Sequence, residues 1–198
     1  ARCGLALRGC GGIRANGPED IAAIRAAVTL PIIGIYKLDI AGCEVFITPT
    51  LDSAREVAAA GADIIAVDAT ARSRPGGISA ADAIRLYKRE LKMPVMADIS
   101  TLAEGIAAAE AGADLVATTL SGYTSYSRQL EGPDFDLIRE LANQITVPVI
   151  TEGRISTPGE ARCALELGAH AVVVGTAITA IDWVTRQYVS SLNSQSFG

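Results

Sequence analysis

At 198 residues, with 49% hydrophobic and 20% charged side chains, the chain has the size and composition of one globular domain with a substantial core. Seventeen Lys and Arg against 22 Asp and Glu leave a net charge of −5 without a basic cluster, which argues against nucleic acid and anionic membrane surfaces as partners. No apolar run approaches the ~18–20 residues of a membrane helix, and no charged-then-apolar leader precedes the first Gly-rich stretch.

Residues 1–8 read as a helix. An apolar strand centred near Ile13 leads to a helix over 18–28, a strand near Ile33 to a helix over 52–60, and a strand near Ile65 to a helix over 80–91. Strands near Val95, Val116 and Val149 precede helices over 102–111, 134–144 and 157–167, and a further strand is centred near Val173. The strands are continuously apolar rather than alternating, as expected of a parallel sheet covered by helices. Cap signals stand at Thr50-Leu51-Asp52-Ser53, Ser100-Thr101 and Ser156-Thr157-Pro158.

The punctuation repeats. Gly61, Gly112 and Gly168 close Ala- and Leu-rich helix ends, and Pro31, Pro94 and Pro148 open strands where a helix cannot continue. The spacing of about 55 residues, with two kinds of strand inside it, implies one strand–helix unit roughly every 27 residues. No Gly/Ser-rich linker interrupts residues 1–198, so a single domain is expected. An even repeat favours a (β/α)8 barrel over a doubly wound sheet, which needs a reversal of strand order. Seven strands are one short, and the expectation is that the first strand of the barrel precedes Ala1. A strand hidden within residues 45–49 is the alternative.

The residue inventory narrows the chemistry. Cys3, Cys10, Cys43 and Cys163 have no paired ligand spacing and His170 is the sole histidine. Zinc sites, His-based triads and disulfide scaffolds are therefore disfavoured, and free thiols in a reducing, cytoplasmic compartment fit best. In a barrel the strand C-termini face the active site. There the chain places Arg14, Lys37, Asp68, Asp98, Thr118-Thr119, Glu152-Gly153-Arg154 and Gly175-Thr176, each behind an apolar run. Gly153, Arg154, Gly175 and Thr176, after the last two strands, form a candidate phosphate site built on backbone N–H groups. Lys37, expected to be partly desolvated behind Gly34, and Glu152, on the opposite wall, suggest proton transfer on two faces of one sugar carbon. An ion pair across the pocket and a Schiff-base lysine are the competing readings. Tyr123, in the loop beyond Thr118, is placed to cover a substrate.

Six stretches carry a family resemblance. Gly12-Ile13-Arg14-Ala15-Asn16-Gly17, Pro31 to Lys37, Phe46 to Thr50, Ala97-Asp98-Ile99-Ser100-Thr101, Thr118 to Thr124 and Thr151-Glu152-Gly153-Arg154 resemble, in order, the motifs of N-acetylmannosamine-6-phosphate 2-epimerases. The resemblance implies a phosphate-binding barrel and a cofactor-independent isomerase without a metal. The implied reaction interconverts N-acetylmannosamine 6-phosphate and N-acetylglucosamine 6-phosphate in sialic acid catabolism. It implies Lys37 and Glu152 as catalytic residues, Arg14 and Asp98 as substrate contacts, and Gly153, Gly175 and Thr176 at the phosphate. A homodimer is the partner it suggests. The chain departs from the family pattern at Leu38, where an Arg is usual, and at Ala180, where the family places a phosphate Arg. A family glutamine belongs to the strand expected before Ala1.

Overall fold

The computed structural model describes residues 10–193. The expected helix over residues 1–8 lies outside them. Seven strands form one parallel sheet: β1 (Ile13–Asn16), β2 (Ile32–Ile35), β3 (Ile64–Asp68), β4 (Val95–Asp98), β5 (Leu115–Ala117), β6 (Val149–Glu152) and β7 (Ala171–Val173). They pair in strict sequence order from β1 to β7. Sequential parallel order leaves no point of reversal, so the sheet is the wall of a barrel and not a doubly wound sheet. Among the described residues, β1 and β7 are the two ends of this wall.

The helices between strands are α1 (Pro18–Ala27), α2 (Leu51–Ala59), α3 (Ala80–Leu91), α4 (Leu102–Glu110), α5 (Phe135–Gln144) and α6 (Pro158–Glu166), followed by α7 (Thr176–Thr179) and α8 (Ile181–Asn193). Three of them start with the same local chemistry. Thr50, Thr101 and Thr157 accept from the N–H of Ser53, Glu104 and Glu160, whose side chains bond back to the capping N–H. Such caps contribute roughly 1 kcal/mol each and depend only on neighbours in sequence, which is why these boundaries were predictable.

Strand alternation sorts the wall into two layers. One set of strand residues, among them Ile65, Val67, Val95, Ala97, Val116 and Val149, packs with the helices in the larger core. The alternate set, including Ile35, Ala66, Met96, Ala117 and Ile150, forms a second cluster inside the barrel. Continuing that inward register along the strands reaches Arg14, Asp68, Asp98 and Glu152. The apolar plug beneath therefore supports a ring of polar side chains at the strand C-termini.

Residues 45–49 do not form a sheet strand. They return as a strap over the end of β2, with a single antiparallel bridge between Ile47 and Lys37. Leu38 N–H donates to Phe46 O (2.9 Å), Thr48 N–H to Tyr36 O (2.8 Å) and Asp68 N–H to Ile47 O (2.9 Å). Thr48 sits in the left-handed region (φ 46°), an unfavourable place for a β-branched residue. Its carbonyl accepts from the hydroxyl of Tyr87 (3.0 Å), which α3 buries completely. Tyr87→Phe leaves that buried carbonyl without its donor and should cost about 1–3 kcal/mol. Urea unfolding at pH 7 measures it, and an unchanged midpoint would show that the strap does not lean on α3.

Candidate active site

A cavity of about 570 Å³ opens at the C-terminal ends of the strands, lined among others by Arg14, Lys37, Phe46, Thr119, Tyr123 and Glu152. At its floor the Arg14 guanidinium, almost entirely buried, lies against Asp98, with Nη1 to Oδ1 at 3.0 Å and Nη2 to Oδ2 at 2.5 Å. Nη1 also lies 2.8 Å from Glu152 Oε2. Thr119 Oγ1 donates to Asp98 Oδ1 (2.7 Å) and accepts from Arg14 (3.4 Å). Burial opposes the positive charge on Arg14, yet Asp98 and Glu152 together raise its pKa above the usual guanidinium range. Arg14 is thus a permanent cation locked in one orientation.

Glu152 is the tuned member of the group. Burial pushes its carboxyl up to about 7; Arg14 pulls it down, Asp98 adds to the rise and Lys37 opposes it. A carboxyl near 7 can both give and take a proton at neutral pH, which an ordinary glutamate cannot do efficiently. Thr118 holds the backbone of Glu152, donating to its carbonyl (3.0 Å) and accepting from its N–H (3.2 Å).

Lys37 stands beyond the end of β2 in the strap. Its N–H donates to Asn16 Oδ1 (2.9 Å), and its Nζ is 6.0 Å from the Phe46 ring centroid. The expectation of a desolvated lysine is corrected: Lys37 is exposed at the cavity mouth, because the residue follows the strand instead of ending it. On the rim, Gly153 (φ 107°), Arg154, Gly175 and Thr176 line the same cavity. Thr176 opens the four-residue α7, whose leading N–H groups have no intrahelical acceptor. Among the described residues no cluster of three or more His, Cys, Asp or Glu could hold a metal ion.

Four further expectations change in detail. Thr118, expected to touch substrate, is committed to Glu152's backbone and is buried; Thr119, two residues on from the inward-facing Ala117, occupies the cavity wall. Asp98 is fully buried behind Arg14 and Thr119 and does not itself line the cavity. Arg154, expected at the phosphate, gives Nε to Gly132 O (2.7 Å) and Nη1 to Ser121 O (2.8 Å). Asp68 likewise serves its own loop, accepting from Thr70 (2.6 Å) and Arg72 (2.7 Å). Asn16 and Phe46, which aim and flank Lys37, were not singled out from sequence, although Asn16 shares the inward register of Arg14.

Residues 3–194 match the family model described as "Putative N-acetylmannosamine-6-phosphate epimerase". The chain belongs to this family. It is 50% identical over 192 residues to the "Putative N-acetylmannosamine-6-phosphate 2-epimerase" of Caldanaerobacter subterraneus subsp. tengcongensis, covering 96% of this chain and 81% of that protein. A protein of the same name from Cutibacterium acnes is 50% identical over 169 residues, 84% of this chain and 73% of the relative. Among solved structures, the N-acetylmannosamine-6-phosphate 2-epimerase of Clostridium perfringens superposes with a TM-score of 0.88 at 44% identity, covering 92% of this chain and 80% of that one. These relatives do not favour the Schiff-base aldolase reading of Lys37.

Proposed function

We propose that this chain is an isomerase that epimerises C2 of N-acetylmannosamine 6-phosphate and N-acetylglucosamine 6-phosphate. The observation that carries the reading is Glu152: a buried carboxyl held near 7, in contact with a locked arginine and sharing one cavity with a lysine. The relatives' names supply the substrate.

The C2–H bond is acidic only beside a carbonyl, so the sugar ring opens first. Ring opening moves a proton from the C1 hydroxyl to the ring oxygen, a transfer suited to a carboxyl that titrates near neutrality. Lys37 takes the C2 proton; the electron pair of the broken C–H bond moves toward the C1 oxygen. Arg14 supplies a fixed positive charge for that developing oxyanion. A proton then returns to C2 from Glu152 on the other face or from Lys37 itself after the intermediate turns. Protons and electrons balance without an oxidant, so the scheme calls on no cofactor. The backbone of Gly153, Gly175 and Thr176 is the proposed phosphate seat, with Tyr123 above the sugar.

The same reading puts the enzyme in sialic acid catabolism in the cytoplasm, as a homodimer. Among the described residues no helix is long and apolar enough to cross a membrane.

Proton NMR of N-acetylmannosamine 6-phosphate with the enzyme in deuterated water tests the proposal. The expected result is conversion to the C2 epimer. Deuterium at C2 marks two-base transfer, and retained C2 hydrogen marks shielded return by one base. Absence of any epimer at saturating sugar phosphate would sink the function.

A further inference from the structure

Between β5 and α5 the chain makes a long excursion, residues 118–134, that forms one side of the cavity mouth through Thr119, Leu120, Tyr123 and Glu131. A polar loop of this length needs many tethers to hold one shape. Several are internal: Ser121 Oγ donates to Asp134 Oδ2 (2.8 Å), and Ser127 Oγ accepts from Gly122 N–H (2.9 Å). Others come from other elements: Thr124 Oγ1 donates to Ser100 Oγ (3.1 Å) and Tyr126 Oη to Glu104 Oε1 (2.6 Å). Arg154, two residues beyond Glu152, reaches across and bonds Ser121 O and Gly132 O, near opposite ends of the excursion.

Three independent features show that this placement is built in. Arg154 adopts a left-handed backbone (φ 57°), a conformation unfavourable for a non-glycine residue. Gly122 (φ 80°) passes so close that a Cβ there would collide with Arg154 Nη1 and lie 2.9 Å from Cζ and 3.0 Å from Nη2. The guanidinium also lies 5.7 Å from the centroid of the Tyr123 ring. A planar guanidinium can meet two carbonyls and one ring at fixed angles at the same time, whereas an ammonium is a point donor on a flexible stem. Tyr123 remains the member of this group with its ring open to the cavity, 58% exposed.

We infer that Arg154 is a positioning residue: it cinches residues 121–132 into one conformation and aims the Tyr123 ring at the bound sugar, instead of binding the phosphate itself. The inference rests on the function proposed above for its ligand, but not for its geometry. It couples the loop that covers the substrate to the strand that carries Glu152, through a backbone link of two residues.

Arg154→Lys keeps the charge and loses the fork; Gly122→Ala keeps the arginine and displaces it. Both should raise KM for N-acetylmannosamine 6-phosphate by about tenfold or more while kcat falls less than about threefold. Amide hydrogen exchange across 121–132, measured without substrate, should speed up by about tenfold or more in both variants. Adding Tyr123→Ala to Arg154→Lys should change KM by less than about twofold, because the ring has already lost its aim. Wild-type KM in Arg154→Lys overturns the inference. So does a raised KM with unchanged exchange, which would make Arg154 a direct phosphate contact. A wild-type enzyme that fails to epimerise removes the functional reading instead, and the exchange arm still decides the loop's dependence on Arg154.

Discussion

Glu152→Gln is expected to lower epimerisation by about 10²–10⁴-fold and, at pH 8, to make the protein more stable than its parent. The activity loss follows from removing a cavity carboxyl that burial holds near 7 and so suits to giving and taking protons at neutral pH. The stability gain follows from the same environment. Burial carries the carboxyl from 4.5 to about 7, so between those values the folded chain holds a proton that the unfolded chain has released. Stability from this source is fully present below 4.5, declines as pH rises through 7, and amounts to roughly 3 kcal/mol. A glutamine resembles the neutral carboxyl at every pH. Melting temperatures of parent and variant should therefore approach each other only as pH falls to about 4.5 and separate at pH 8, by about 6–12 °C for a chain of this length. Lys37→Ala should show a comparable loss of turnover without that pH-dependent gain, because Lys37 is exposed at the mouth. A Glu152→Gln variant that melts in parallel with its parent at all pH values would remove buried charge as the source of the perturbed carboxyl.

Asp98→Ala should be among the most damaging single changes to the fold. It strips a bidentate partner from Arg14 at a fully buried position, and such losses run to about 3–5 kcal/mol. Arg14 keeps Glu152, which puts this case at the lower end of that range. Asp98→Asn, which retains an acceptor for Arg14 and Thr119, should cost about 1–2 kcal/mol and stay folded. Its effect on chemistry is directional. Asp98 raises the Glu152 carboxyl and Arg14 lowers it, so neutralising Asp98 shifts Glu152 downward. The acid limb of the pH–rate profile should move to lower pH in Asp98→Asn, alongside a reduced denaturation midpoint in guanidinium. An unmoved limb with an altered midpoint would confine Asp98 to a structural role.

How much of this was visible beforehand depends on how local each determinant is. The expected strand centres from Ile33 to Val173 fall within β2 to β7, and Ile13 opens β1. Thr50, Thr101 and Thr157 mark helix starts because a cap is a contact between residues three apart. The barrel followed from the even repeat, and the sequential strand order bears it out. Arg14, Lys37 and Glu152 were legible among the cavity's charged residues, since each follows an apolar run and strand ends face the mouth.

What remained hidden is a matter of partners. Whether Thr118 or Thr119 faces the cavity turns on strand parity at β5, where the last paired residues, not the apolar run, set the register. Asp98 reads as a substrate contact until Arg14, 84 residues away, is seen to close over it. Arg154 reads as an anion ligand until its left-handed backbone turns it onto Ser121 and Gly132. Residue order alone was enough for caps, turns and periodicity, because those energies are settled within a few neighbours. Burial, carboxyl titration and the choice of hydrogen-bond partner are settled by groups brought together from distant strands, and only the assembled wall of the barrel decides them.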